Sequence, residues 1–282
     1  MCIVRGMCAI VGYVGNSEAL QIGLDALERM EYRGYDSAGI AVVEQGSLHL
    51  EKKEGKLQNL IDRIDEVGRE SFQGSTCIGH TRWATHGRPN DVNAHPHRSF
   101  DGKAAIVHNG IIENFSTLRA EIEAAGIELE SETDSEVAAH LLALAYNEGE
   151  TAGDFQASAL QVLSRLEGAF TVLFVHADHP GTIIAGRRST PLIVGVGEGE
   201  TFLGSDVAAF IDRTKNAVEL GQDNAVVITA DSYDIYDFDG NPVEGKPFTI
   251  DWDLDAAQKD GFDSFMMKEI HEQPAACLLY TS

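Results

Sequence analysis

A layered α+β fold is the class this 282-residue sequence predicts. Two observations carry it: many short apolar runs bounded by Gly, Asp and Pro turn signals, and two groups of segments with helical periodicity. Strand-rich chains of this kind bury their runs by packing sheets face to face and covering them outside with helices. An apolar fraction of 43% is ample for such a core, and no repeat or low-complexity linker divides it. One domain is expected over residues 8–250, with a leader or misplaced start at 1–7 and a tail at 251–282.

Residues 9–13 (AIVGY) read as a buried strand, and Ser17 can cap a helix whose Leu20, Leu24, Leu27 and Met30 recur at helical spacing. Arg33-Gly34 stops that helix. Strand-like runs follow at 38–43, 47–52, 76–80 and 104–108, and helical patterns at 115–125, 134–147 and 155–166. The second half is mostly strands, at 169–175, 182–186, 192–196, 201–203, 225–229 and 233–237.

Forty-five acidic against 21 basic residues give a formal net charge of −24. That excess repels phosphate backbones and anionic lipid surfaces, which argues against nucleic acid and membranes as partners. It reads as a solvated face or as adaptation to a salty cytoplasm, and eight lysines against thirteen arginines lean toward the second. Cys2, Cys8, Cys77 and Cys277 are too few and too scattered for a disulfide framework, so reduced thiols in cytoplasm are expected. No apolar stretch approaches the ~20 residues a membrane helix needs, and residues 1–15 lack the apolar segment of a signal peptide.

The stretch GHTRWATHGRPNDVNAHPH (79–97) is dense in polar and aromatic side chains, with Gly and Pro against regular structure. It reads as a loop laid over a surface, where sites tend to sit. His80, His86, His95 and His97 raise a metal reading, but no Cys or carboxylate completes a recognisable ligand spacing, so neither metal nor cofactor is expected. HNG (108–110) is a hairpin turn signal; a rigid turn could also aim the Asn109 amide and the Gly110 N–H at one developing oxyanion. SETDSE (131–136) supplies Thr133 as a cap with Glu136 three residues on, a capping box, and Asp134 in the first turn. That account suffices for the helix and leaves open whether Asp134 also receives an ammonium group. YRGYDSAG (32–39) reads as a helix terminator, Arg82 and Trp83 as an exposed cation and a surface aromatic, and GVGEGE (195–200) as a strand turn before a phosphate loop.

Cys8 changes the weighing. A cysteine at the head of a buried strand is ordinarily inert packing. A cysteine that is also the first residue of its chain carries its own base, because an α-amine titrates near ~7.7–8.0 and a thiol near ~8.5. An α-nitrogen held in a peptide bond cannot serve, since its lone pair is delocalised into the carbonyl.

In order and approximate spacing, MCAIVGYVG, LERMEYRGYDSAGIAV, GHTRWATHG, NAHPH, VHNGIIEN, SETDSEV, LEGAF, GSD and MMKEIHEQP resemble the glutaminase half of the glutamine:fructose-6-phosphate aminotransferase family. The resemblance covers about residues 7–274. It implies a class II glutamine amidotransferase domain with the N-terminal-nucleophile hydrolase fold, a four-layer αββα sandwich. It implies Cys8 as the nucleophile on the glutamine amide, with its own α-amine as base, and Asn109 and Gly110 as the oxyanion hole. Arg82 would clamp the α-carboxylate, where a forked guanidinium suits a planar carboxylate, and Asp134 would accept the α-ammonium. Thr85 and His86 would line the glutamine pocket, Trp83 would gate the ammonia route, and Arg33 would sit beside the nucleophile.

The family continues after KEIHEQP into two sugar-isomerase domains that bind fructose 6-phosphate, and nothing resembling them follows here; the closing AACLLYTS does not resemble that continuation. A fragment is therefore expected that performs only glutamine hydrolysis, its homodimeric parent using the ammonia to make glucosamine 6-phosphate. Two departures bear on this. The family has Gly directly after the nucleophile where Ala9 stands, and a methyl group would interfere if that backbone needed positive φ. MCIVRG also precedes Met7, so the reading expects a true start at Met7 or cleavage before Cys8. Two other readings stand beside it: the glutaminase of another class II amidotransferase, phosphoribosyl or asparagine-forming, and a non-catalytic glutamine-binding domain.

Overall fold

The computed structural model describes residues 8–31, 35–83 and 87–251. In chain order the strands are β1 (Ala9–Gly15), β2 (Ser37–Glu44), β3 (Ser47–Glu54), β4 (Thr76–Arg82), β5 (His97–Arg98), β6 (Ala104–Ile112), β7 (Gly168–His176), β8 (Ile183–Arg188), β9 (Ile193–Val196), β10 (Glu200–Gly204), β11 (Asn216–Glu219), β12 (Asn224–Ile228), β13 (Tyr233–Asp237) and β14 (Lys246–Thr249). The helices are α1 (Ala19–Arg29), α2 (Leu57–Val67), α3 (Phe115–Ala124), α4 (Glu136–Glu148) and α5 (Phe155–Arg165). One sheet runs β14-β11-β9-β10-β1-β4-β2-β3 and the other β13-β12-β8-β7-β6-β5.

Side chains alternate sides along a strand, and that alternation builds four layers. In β1, Ala9, Val11 and Tyr13 join Leu20, Leu24 and Leu27 of α1, while Ile10 and Val14 point between the sheets. In β6, Ala104 and Ile106 pack with α3, α4 and α5, while Ala105 and Val107 meet Ile10 and Ile78 in the inter-sheet core. Because both faces are buried, these strands read as continuous apolar runs. The order is helices, sheet, sheet, helices, as the resemblance implies. Among the described residues no helix is long and apolar enough to cross a membrane.

Every strand and helix expected from the sequence is present, β13 with the same bounds and the others with at least one end moved, and four elements carry no sequence signal: α2, β5, β11 and β14. Three local expectations are corrected. Ser17 does not cap α1; Glu18 holds that position without a side-chain hydrogen bond, and the Ser17 N–H donates to Tyr13 Oη at 3.2 Å. Thr133 does not cap α4 either, because the Glu136 carboxylate reaches further back, accepting from the N–H groups of Glu130 at 2.9 Å and Ser131 at 2.7 Å. HNG is not a turn: β6 runs straight through it, Asn109 opposite Thr171 and Gly110 opposite Phe170 of β7. Gly110 has φ +116°, so the glycine serves a left-handed residue inside a strand rather than a hairpin. GVGEGE does form a strand turn, with the Gly197 N–H donating to the Glu200 carbonyl at 2.9 Å between β9 and β10.

Candidate active site

The end of the inter-sheet space gathers Cys8, Trp83, His80 and Asn109. Pairing of Ala9 with Thr81 sets Cys8 at the head of β1 beside the end of β4. The Cys8 thiol is half-buried: Sγ accepts from the Trp83 N–H at 3.1 Å and lies 3.6 Å from the Trp83 carbonyl. From the facing sheet, Asn109 Nδ2 lies 3.4 Å from the Cys8 carbonyl oxygen. Asn109 Oδ1 is 2.8 Å from His80 Nε2, which comes from the inner face of β4. Gly110 follows, and a Cβ there would lie 2.0 Å from the Ala169 carbonyl oxygen, so only glycine fits.

Asp134 is tied to the end of the same strand, its Oδ2 accepting from the Ile112 N–H at 2.7 Å. Arg82 closes β4 opposite Ser37 of β2 and is 6% exposed, so it is not a surface cation. Trp83, at 41% exposed, stands at the rim. Cys8, Asn109, Gly110, Trp83, Arg82 and Asp134 thus sit at the ends of β1, β4 and β6 and the entry to α4. Arg33, Thr85 and His86 lie outside the described residues, as do residues 1–7 and 252–282.

Among the described residues, the segment 79–97 is a surface loop only at 87–92. Its first four residues belong to β4, and Asn93, Ala94, His95 and His97 are buried. The His80 and His95 rings stack with centroids 4.2 Å apart and 23° between planes, and His97 meets His95 edge-on at 4.6 Å. Their nitrogens serve separate partners instead of converging on a point. His95 Nδ1 accepts from the His108 N–H at 3.2 Å, His97 Nε2 is 3.2 Å from Thr133 Oγ1, and His108 Nδ1 is 2.8 Å from Ser135 Oγ. Among the described residues no three His, Cys, Asp or Glu side chains form a metal-binding group.

Burial sets the charge state of this layer. It holds His80 down to about 3 against the opposing hydrogen bond with Asn109, and pushes His95 and His97 well below their ordinary range. Burial likewise lowers Lys52 to about 8 against the pull of Glu136 and Glu130; its ammonium donates to the Val92 and Ala94 carbonyls at 2.9 and 2.8 Å, pinning the chain that leads into His95. For Glu136 burial acts upward, but hydrogen bonds from His140, Ser131 and two backbone N–H groups outweigh it and draw the carboxyl to about 2.

Ala9 resolves one departure noted above. Among the described residues the only non-glycine residues at positive φ are Ser189 and Asp223, so Ala9 is ordinary strand. Its methyl is fully buried in the core under α1, on the face away from the site.

His80, Lys52 and Glu136 were not read as site residues from the sequence. His80 was visible only as a member of a histidine cluster, although strand alternation in β4 and β6 puts it and Asn109 on facing inner surfaces.

Comparison with known proteins agrees with the fold. A family model described as a glutamine amidotransferase domain matches residues 80–212. The glutamine--fructose-6-phosphate aminotransferase [isomerizing] of Mycobacterium tuberculosis (strain ATCC 25618 / H37Rv) is 61% identical over 275 residues, 96% of this chain and 44% of that protein. The protein of the same name from Corynebacterium diphtheriae is 54% identical over 277 residues, again 96% of this chain and 44% of its own length. The chain therefore spans less than half of the curated relatives it matches. Among solved structures, glutamine phosphoribosylpyrophosphate amidotransferase from B. subtilis superposes with a TM-score of 0.69 at 25% identity, covering 83% of this chain and 50% of that one. A glutamine aminotransferase class-II domain protein from silicibacter pomeroyi superposes at 0.53 with 16% identity, covering 82% and 99%, a likeness of fold. With the four layers and these likenesses in agreement, the chain carries a class II glutamine amidotransferase domain with the N-terminal-nucleophile hydrolase fold.

Proposed function

We propose that the chain hydrolyses glutamine to glutamate and ammonia with Cys8 as nucleophile. The observation that carries the reading is the half-buried Cys8 thiol at the end of the inter-sheet space, with the Asn109 carboxamide 3.4 Å from the carbonyl oxygen of the same residue and Gly110 next in the strand. When Cys8 is the first residue, its neutral α-amine takes the thiol proton. The sulfur then bonds to the side-chain carbonyl carbon of glutamine, and the carbonyl electron pair moves onto oxygen. The Asn109 NH₂ and the Gly110 N–H would stabilise that oxyanion, each donor contributing roughly 10²–10³ in rate in sites of this kind. The ammonium returns its proton to the departing nitrogen, the C–N bond breaks, and ammonia leaves a thioester. Water, deprotonated by the same amine, attacks the thioester through a second oxyanion, and glutamate and the thiol are restored.

Arg82 would hold the substrate α-carboxylate and Asp134 its α-ammonium, fixing the amide at the sulfur; Trp83, at the rim, would gate the ammonia route. Arg33, Thr85 and His86 are assigned to the pocket by resemblance alone. The relatives' name supports a further step: in a longer protein the ammonia would pass to fructose 6-phosphate. That longer protein is taken, on the family resemblance alone, to be a cytoplasmic homodimer whose other domains bind the sugar.

The test is a glutamate-release assay on protein whose N-terminus has been determined by mass spectrometry. Protein starting at Cys8 is expected to turn over, and protein still carrying residues 1–7 to bind glutamine with little turnover. A Cys8→Ala protein should retain glutamine binding by calorimetry and lose hydrolysis. Glutamate release by Cys8→Ala at the parent rate overturns the proposal.

A further inference from the structure

We infer that His80 is a positioning residue that fixes the Asn109 carboxamide with its NH₂ toward Cys8; the inference rests on reading Asn109 as an oxyanion donor. A carboxamide carries donors at one end and an acceptor at the other, and a half-turn about χ2 exchanges them. One orientation presents N–H groups to the developing oxyanion. The other presents a carbonyl oxygen and repels it.

Two neighbours on opposite sides make the same choice. The Cys8 carbonyl oxygen lies 3.4 Å from the Nδ2 end of Asn109, and the reversed amide would set oxygen against oxygen there. At the other end, Oδ1 lies 2.8 Å from His80 Nε2. Oδ1 can only accept, so the His80 ring must carry its proton on Nε2. The ring has one proton to place, since burial keeps it neutral, at about 3.

The remaining nitrogen is consistent with that assignment. His80 Nδ1 is buried without a hydrogen-bond partner. In the Nε2–H tautomer this atom bears a lone pair, and an orphaned lone pair is tolerated better than an orphaned N–H. The ring also has no room to swing away: it is 1% exposed and stacked at 4.2 Å on His95. His95 is itself held, accepting the His108 N–H on Nδ1 at 3.2 Å. Histidine therefore does at position 80 what a purely apolar filler of the same space could not: it donates to one end of Asn109 and so aims the other.

Two measurements test this on protein beginning at Cys8. Nitrogen NMR of the histidine-labelled protein, with His80 assigned by its loss in His80→Gln, reads the tautomer directly. A proton on Nε2 is expected, and a proton on Nδ1 overturns the inference. Kinetically, His80→Leu should lower kcat for glutamate release by about 10²–10³-fold, the loss of one oxyanion donor, with KM little changed. His80→Gln, which keeps a donor, should recover most of it. In an Asn109→Ala background, His80→Leu should cause no further loss, because its target is gone; an equal loss in both backgrounds overturns the inference and leaves His80 a packing residue. Should His80→Leu fail to fold, the tautomer measurement decides alone. Absence of turnover by the parent protein overturns the hydrolase reading, whereas turnover that His80→Leu leaves intact overturns only the role of His80.

Discussion

At the scale of single residues, Ala9 departs from the family pattern without requiring positive φ. The family pattern has glycine at this position, a residue whose backbone takes positive φ freely. Ala9 lies in an ordinary strand conformation and packs its methyl among Val11, Leu20 and Leu24 on the helix-covered face, while Cys8 begins the site on the other side of the sheet. Ala9→Gly should therefore leave glutamate release unchanged and destabilise the fold by about 1 kcal/mol, from backbone entropy and the lost methyl. Urea unfolding with an unchanged slope checks it, and a rise in activity would show the methyl to be an obstruction. Cys8, Asn109, Gly110 and Asp134 were legible as candidates because each has a chemistry that a local motif displays. The His80 contact was not, because its partner is 29 residues away and the pairing exists only once two sheets face each other.

Elements were legible where their own residues pay for them. Strands buried on both faces, such as β1 and β7, appear as apolar runs, and α1 shows a full apolar stripe. Helix α2 buries only Leu57, Leu60 and Ile64 in a charged segment, and its N-cap Lys56 makes no side-chain cap, so the usual entry signal is missing. Its cap comes from elsewhere: Tyr35 Oη accepts the Leu57 N–H at 3.2 Å while donating to the Glu31 carboxylate. Strands β5, β11 and β14 are too short to show a period, and β14 is an exposed edge containing Pro247. In β6 the Asn-Gly pair marked positive φ correctly and the wrong structure, since a strand can use that conformation when a neighbouring backbone comes too close for a side chain. Tyr35→Phe removes the borrowed cap and nothing else from the α2 entry. It should destabilise by about 1 kcal/mol, within the range for loss of an N-cap, read as a lower urea midpoint; an unchanged midpoint would mean that water replaces the hydroxyl without loss.

At the scale of the whole molecule, layering decides where charge can be kept, and the pH response follows. The packed layers leave dry interiors in which burial holds His80, between the sheets, at about 3, keeps its neighbours His95, His97 and His108 below their ordinary range, and holds His176, between β7 and the helices, at about 4. In the unfolded chain these rings return to their ordinary value of 6.5 and take up protons below it. The unfolded state then binds more protons than the folded one, so stability is present above 6.5 and is lost as pH falls. Each such ring contributes a slope of up to about 1.4 kcal/mol per pH unit. The net charge of −24 works the other way, because protonating carboxylates relieves repulsion. Ordinary carboxyls titrate near ~4, however, so between pH 6.5 and 5 the histidines dominate. Glu136, at about 2, adds its own loss only from 4.5 downward. Lys52, at about 8 against 10.5 unfolded, raises stability between those values and is silent in acid. Urea midpoints should therefore drop from pH 7 to pH 5, and calorimetric unfolding at pH 6 in buffers of differing ionisation enthalpy should show net uptake of more than one proton. Unfolding at pH 6 without proton uptake would mean that these rings are hydrated and charged in the folded protein, which the stacked, water-excluding packing of His80 on His95 does not permit.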